Sequence, residues 1–112
     1  MGHNAPEWPI AFIGGIMANC ISSGVYITNL PEACLYQADH SEAEVIVVDS
    51  IANLKKYEVF LHKLPNIKAI VVYCLDKLPS DVKDKRYYTW KDFLKLGKDL
   101  PNESLATRIN SQ

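Results

Sequence analysis

The chain has 112 residues, 48% of them hydrophobic and 22% charged, with twelve Lys plus Arg against thirteen Asp plus Glu for a net charge of −1. This composition excludes intrinsic disorder and allows one hydrophobic core, since a chain of this size buries roughly 60–70% of the surface its unfolded form exposes. An isoelectric point near 6.3 also argues against a dedicated nucleic-acid binder, which needs a basic face to displace phosphate counterions.

Charge is unevenly distributed. All twelve basic residues lie from Lys55 onward, whereas Met1 to Leu54 carries six acids and no base. The second half, with seven acids and twelve bases, is therefore +5 against −6 for the first. Solvated helix faces in the second half and a buried first half account for this more simply than an electrostatic partner site. Between Glu7 and Glu32 there is no charged residue, a run long enough to raise the question of a membrane span. Gly14, Gly15, Asn19, Ser22, Ser23, Gly24 and Asn29 interrupt it, so the run reads as a buried helix followed by a buried strand, with no transmembrane segment. No positive region precedes the apolar stretch as in a secretory signal, which points to an intracellular protein.

In chain order, Asn4, Pro6 and Glu7 form a helix start, with Trp8, Phe12 and Ile16 spaced by four and Ile13 and Met17 beside them. Gly14 and Gly15 inside this helix each cost about 1 kcal/mol relative to Ala, which predicts a packing reason such as close approach to a neighbouring sheet. Val25 to Thr28 is β-prone and predicts a strand, and Pro31-Glu32 opens a second helix reaching about His40. Glu44 to Val48 predicts a strand closed by Asp49, with Ser50 capping a helix whose face is Leu54, Tyr57, Phe60, Leu61 and Leu64. Ala69 to Cys74 is apolar without alternation, as in a parallel strand covered on both faces.

Asp76 to Arg86 is charged, contains Pro79 and reads as a surface loop. Thr89 with Asp92 resembles a capping box ahead of a short helix stopped by Gly97, and Pro101 with Glu103 starts a last helix carrying Leu105 and Ile109. The order strand, helix, strand, helix, strand predicts a three-layer α/β architecture with a mostly parallel sheet and flanking helices. Ligands are then expected beyond the strand ends, near Thr28, Asp49 and Tyr73.

Chemistry is sparse. Cys20, Cys34 and Cys74 are odd in number and have no C-x-x-C spacing, so they read as reduced, core thiols, and His3, His40 and His62 read as surface residues, not metal ligands. The one glycine pair lies inside a predicted helix with no Lys nearby, unlike a phosphate-binding loop. No Ser-His-Asp order, paired-carboxylate signature or nucleophile elbow can be assembled. Asp49 at a strand end reads as a cap more readily than as a ligand-binding acid.

Asn4-Ala5-Pro6-Glu7-Trp8, Gly24-Val25-Tyr26-Ile27-Thr28-Asn29, Pro31-Glu32-Ala33-Cys34 and Val47-Val48-Asp49 form one ordered set. It continues through Leu64-Pro65, Lys68-Ala69 to Tyr73, and Tyr88-Thr89-Trp90 with Phe93 to Gly97. The set resembles the bubblegum-type long-chain acyl-CoA synthetases, members of the adenylate-forming enzymes, over nearly the whole chain. Two departures stand out: Leu30 replaces a helix-capping Ser, and Ile27 replaces a usual Thr.

The resemblance implies an enzyme that activates a fatty acid with ATP and magnesium to an acyl-adenylate and passes the acyl group to CoA. It implies that residues 1–112 are an incomplete portion of the N-terminal AMP-binding-type domain, without the phosphate loop, the later adenylate motifs or the C-terminal domain and its Lys. The phosphate loop would begin just after Gln112, and Met1-Gly2 corresponds to an interior Met-Gly of the family. No catalytic residue carries over, and no cofactor is assigned to this chain. Thr28 and Asn29 fall at a turn that lies near the CoA nucleotide in related enzymes. Without the phosphate loop, the isolated chain is expected to have no ligase activity. The resemblance also implies a cytoplasmic location, or one peripheral to the endoplasmic reticulum membrane. A reading from another class is a non-catalytic binding or regulatory module that self-associates or pairs with a full-length synthetase through uncovered apolar surface. A flavodoxin-like regulator is a distant third, since its acidic cluster at strand ends is reduced here to Asp49.

Overall fold

In the computed structural model, which describes residues 1–112, α1 spans Glu7–Met17, α2 Pro31–His40, β1 Val45–Val48, α3 Ile51–Glu58, β2 Ala69–Val72, β3 Tyr87–Thr89, α4 Trp90–Lys95 and α5 Asn102–Asn110. A single turn of 3-10 helix, Leu61–Lys63, follows α3. The three strands form one parallel sheet in the order β1-β2-β3, with Ile46 beside Ile70 and Val71 beside Tyr88.

The register assigns the faces. Ile46, Val48, Ile70, Val72 and Tyr87 share one side of the sheet and pack with Leu54 and Tyr57 of α3 and Cys34 and Ala38 of α2 in a single buried cluster. Val71 and Tyr88 lie on the opposite side. Tyr88 meets Phe93 of α4 edge to face, with ring centroids 5.8 Å apart, so α4 lies on that second side. All four β2 residues are buried, as the unalternated apolar run predicts, because β2 is central and both its faces are covered.

Local signals end the helices. Ser50 and Thr89 cap α3 and α4, each hydroxyl accepting from the backbone N–H three residues on (Asn53 and Asp92). α2 begins after Leu30 with no side-chain cap, the consequence of an apolar residue at that position. α1 and α2 both close in Schellman motifs with a left-handed residue, Asn19 (φ 62°) and Glu42 (φ 51°). Cys20 N donates to Gly15 O and Ala43 N to Ala38 O.

Several expectations need correction. Val25 to Thr28 is not a strand: it is irregular, with a turn over residues 27–28, and Tyr26 is 79% exposed. The third strand is instead Tyr87–Thr89, directly after the charged loop. α1 forms where expected but is not buried, and Ile10, Ile13 and Ile16 are all exposed. Nor do both of its glycines answer to packing: nothing approaches Gly14, whereas a Cβ on Gly15 would lie 2.6 Å from Ser22 Oγ. Neither meets the sheet. Of the three thiols only Cys34 is in the core; Cys20 and Cys74 are exposed.

Nineteen of 112 residues are buried, and the accessible surface is 7802 Å². A compact protein of this mass would expose about 6,200 Å². The excess is consistent with α1 and α5, which contain no buried residue. They are joined end to end by polar bonds, Arg108 and Gln112 side chains donating to the carbonyls of Ala18 and Ile16.

Candidate functional site

A cleft of about 400 Å³ opens between two irregular segments. One wall is the N-terminal strap with the start of α1 (Gly2, Asn4, Trp8), and the other is the segment Gly24, Val25, Tyr26 and Ile27. This volume lies within the range of small-ligand sites. Its lining carries no charged side chain. It offers an amide at Asn4 and two aromatic rings, of which Trp8 stacks on Phe12 at 5.4 Å with 7° between planes.

The strap lies across the carboxyl ends of β1 and β2. Met1 extends the sheet edge, its N–H donating to Val47 O at 2.8 Å while Asp49 N donates to Met1 O. The Asp49 carboxylate, 4% exposed, accepts from Asn53 Nδ2 at 2.7 Å and from His3 N at 3.1 Å. Tyr73, at the end of β2, donates its hydroxyl to His3 O at 3.0 Å. Gly2 is required by this approach, since a Cβ there would sit 2.7 Å from Asp49 Cβ and overlap the Tyr73 hydroxyl.

Electrostatics agree with these roles. Burial pushes the Asp49 carboxyl up, but the bonds from Asn53, the His3 N–H and Ser50 outweigh it and hold it below the usual carboxylate range. Burial, and then the Asp49 charge, pushes the Tyr73 hydroxyl up to about 12, which keeps it a donor. Burial also raises the Cys34 thiol, which stays protonated in the core.

The opposite wall is held separately. Asn29 N donates to Tyr26 O at 3.1 Å to close the turn, and Asn29 Nδ2 donates to Gln37 Oε1 of α2 at 3.2 Å. Cys34 Sγ lies 3.9 Å from Asn29 O, and Lys56 Nζ of α3 donates to Ile27 O at 2.6 Å.

The three residues singled out by sequence thus flank one cleft without lining it. Thr28 and Asn29 follow Ile27 on one side, Thr28 exposed and Asn29 half-buried, and Asp49 backs Gly2 on the other. Asn4, Trp8, Tyr26 and the supporting Asn53 and Lys56 were not predicted as site residues. Asn4, Trp8 and Tyr26 stand in the ordered set that carries the resemblance, and nothing in the sequence singled out Asn53 or Lys56. No three His, Cys, Asp or Glu side chains converge, and the only glycine pair lies within α1. No helix is long and apolar enough to cross a membrane.

The family model described as AMP-binding enzyme matches residues 1–108. Over the whole chain, 42% of residues are identical to the long-chain-fatty-acid–CoA ligase ACSBG2 of Xenopus laevis and 41% to that of Gallus gallus. The ligase ACSBG1 of Homo sapiens is 38% identical, again over all of this chain. The chain spans only 14–15% of the length of these relatives. No solved structure gives a significant match.

Proposed function

This chain belongs to the AMP-binding enzyme family, and from that premise we propose that it serves as part of a long-chain fatty acid–CoA ligase. The parent reaction uses ATP and magnesium to convert a fatty acid to acyl-AMP with release of pyrophosphate. The CoA thiol then displaces AMP to give acyl-CoA. Residues 1–112 supply a portion of the N-terminal AMP-binding domain. Alone they form no acyl-CoA, since the reaction needs the preorganised phosphate donors of the whole ligase.

The observation that carries this reading is the ordered similarity along the entire chain to ligases of that name. A contribution on the CoA side follows from the resemblance at Thr28 and Asn29, which sit at the rim of the cleft, with Asp49 behind its far wall. Three free thiols suit a reducing compartment, the cytoplasm or the cytoplasmic periphery of the endoplasmic reticulum.

The test is a chimera in which this chain replaces the matched segment of the Xenopus laevis ligase, assayed beside the isolated chain. The chimera should form acyl-CoA in an ATP-dependent reaction, and the isolated chain should not. A folded chimera without activity contradicts the family role, and ATP-dependent acyl-CoA from the pure chain contradicts the inactivity.

A second reading, a non-catalytic module that pairs with a full-length synthetase or with itself, draws on the exposed apolar side chains of α1. Trp8, Ile10, Ile13, Ile16 and Met17 are each more than a third exposed. A helix apolar on all sides is ordinarily covered. Sedimentation of the chain alone and with the ligase separates the two readings: a discrete complex supports pairing, and aggregation alone opposes it.

A further inference from the structure

We infer that helix α3 sets the spacing between the two walls of the cleft, through Asn53 and Lys56 acting as positioning residues for whatever the cleft admits. The two residues are three positions apart and share a helix face. From Asn53 the connection runs to Asp49 Oδ1 (2.7 Å), and from Asp49 Oδ2 to the N–H of His3 (3.1 Å), between the wall residues Gly2 and Asn4. From Lys56 it runs directly to the carbonyl of the wall residue Ile27 (2.6 Å).

Both connections span long stretches of sequence, 46 residues from Asp49 to His3 and 29 from Lys56 to Ile27. Both are charge-assisted and partly shielded from water, which makes them stronger than neutral surface bonds. The walls have other anchors, but these lie at their ends: Met1 on the β1 edge, Ser22 on the Phe12 carbonyl and Asn29 on Gln37. The middle of each wall is hydrogen-bonded to the fold by Tyr73 and α3 on one side and by Lys56 of α3 on the other, where Val25 and Ile27 also pack against the core. Helix α3 is in turn seated in the core by Leu54 and Tyr57. A rigid helix thus holds two segments that have no ladder partners of their own, apart from Met1.

The inference depends on the proposed CoA-side role only for the identity of the ligand, so the test has two arms. In the first, amide hydrogen exchange is measured on the 112-residue chain and on Lys56→Met, Lys56→Arg, Asp49→Asn and Tyr73→Phe. Lys56→Met should speed exchange at Asn29 about tenfold, as expected for loss of one charge-assisted bond, and leave His3 and the β2 amides unchanged. Lys56→Arg, which keeps a charged donor, should restore Asn29. Asp49→Asn, and more weakly Tyr73→Phe, should speed His3 and leave Asn29 unchanged. Unchanged exchange at both walls, or a uniform rise that includes β2, overturns the inference; Tyr73→Phe decides the strap arm if Asp49→Asn does not fold.

In the second arm CoA is titrated into the same proteins. Weaker binding to Lys56→Met, recovered in Lys56→Arg, supports wall spacing as the determinant, and equal affinity in all variants opposes it. If CoA does not bind the parent chain, the CoA-side reading falls and the exchange arm alone decides the spacing.

Discussion

Val71 and Ile13 stand in equally apolar runs, yet the first is fully buried and the second 55% exposed. Val71 belongs to a strand whose backbone is paired on both sides and whose faces carry α3 on one and α4 on the other. A strand needs neighbours to satisfy its N–H and C=O groups, so burial comes with its formation. Ile13 belongs to a helix that satisfies its own backbone and therefore forms without cover. Apolar composition marks both regions, but only the sheet region recruits its covering from within this chain.

The sharpest way to break that contrast is a cavity on each side of it. Leu54→Ala, in the core, should cost about 3 kcal/mol of unfolding free energy in urea titration. Asp49 belongs to the same covered region and gives it a pH signature. Its folded carboxyl lies below the unfolded value, so its stabilisation is present above about pH 4 and is lost as pH falls through the folded value. The parent chain should lose more stability than Asp49→Asn on acidification through that range, with chemical denaturation at several pH values as the readout.

Ser50→Ala, which removes the cap of α3, should cost about 1 kcal/mol, with thermal melts as the readout. On the uncovered side, Ile13→Ser should change stability by less than about 0.5 kcal/mol while lowering the binding of a hydrophobic dye. A loss as large as that of Leu54→Ala would mean that α1 is covered in solution.

The same contrast explains what could be read in the sequence. Helix starts were legible, because Pro31, Ser50 and Thr89 act within three residues of their own positions, whereas the expected helix face running to Leu64 stops at Glu58, with a separate 3-10 turn over Leu61–Lys63. β1 and β2 were legible because their short β-branched runs gain ladder partners, which buries all of β2 and, in β1, Ile46 and Val48. Val25 to Thr28 has the same β-prone composition but gains no ladder, since β-propensity measures fit to a neighbour that this segment lacks. Tyr87–Thr89 is only three residues long and follows a charged loop, so it had no period to detect.

The candidate cleft was visible in the sequence only at its edges. Thr28, Asn29 and Asp49 all fall beside the cleft, but the strap that forms one wall depends on contacts between His3 and residues 46 and 70 positions away, which no local pattern encodes. Gly2 is the one residue whose type reflects that approach, and it becomes informative only once Asp49 and Tyr73 are placed beside it.

The most direct test of the central claim, that this cleft is the CoA-side contribution of an AMP-binding enzyme, is a titration of the isotopically labelled chain with CoA followed by amide chemical shifts. The account predicts saturable shifts confined to residues 2–8 and 24–29, with Val71 and Gly97 unmoved. No shifts, or shifts centred elsewhere, would contradict it.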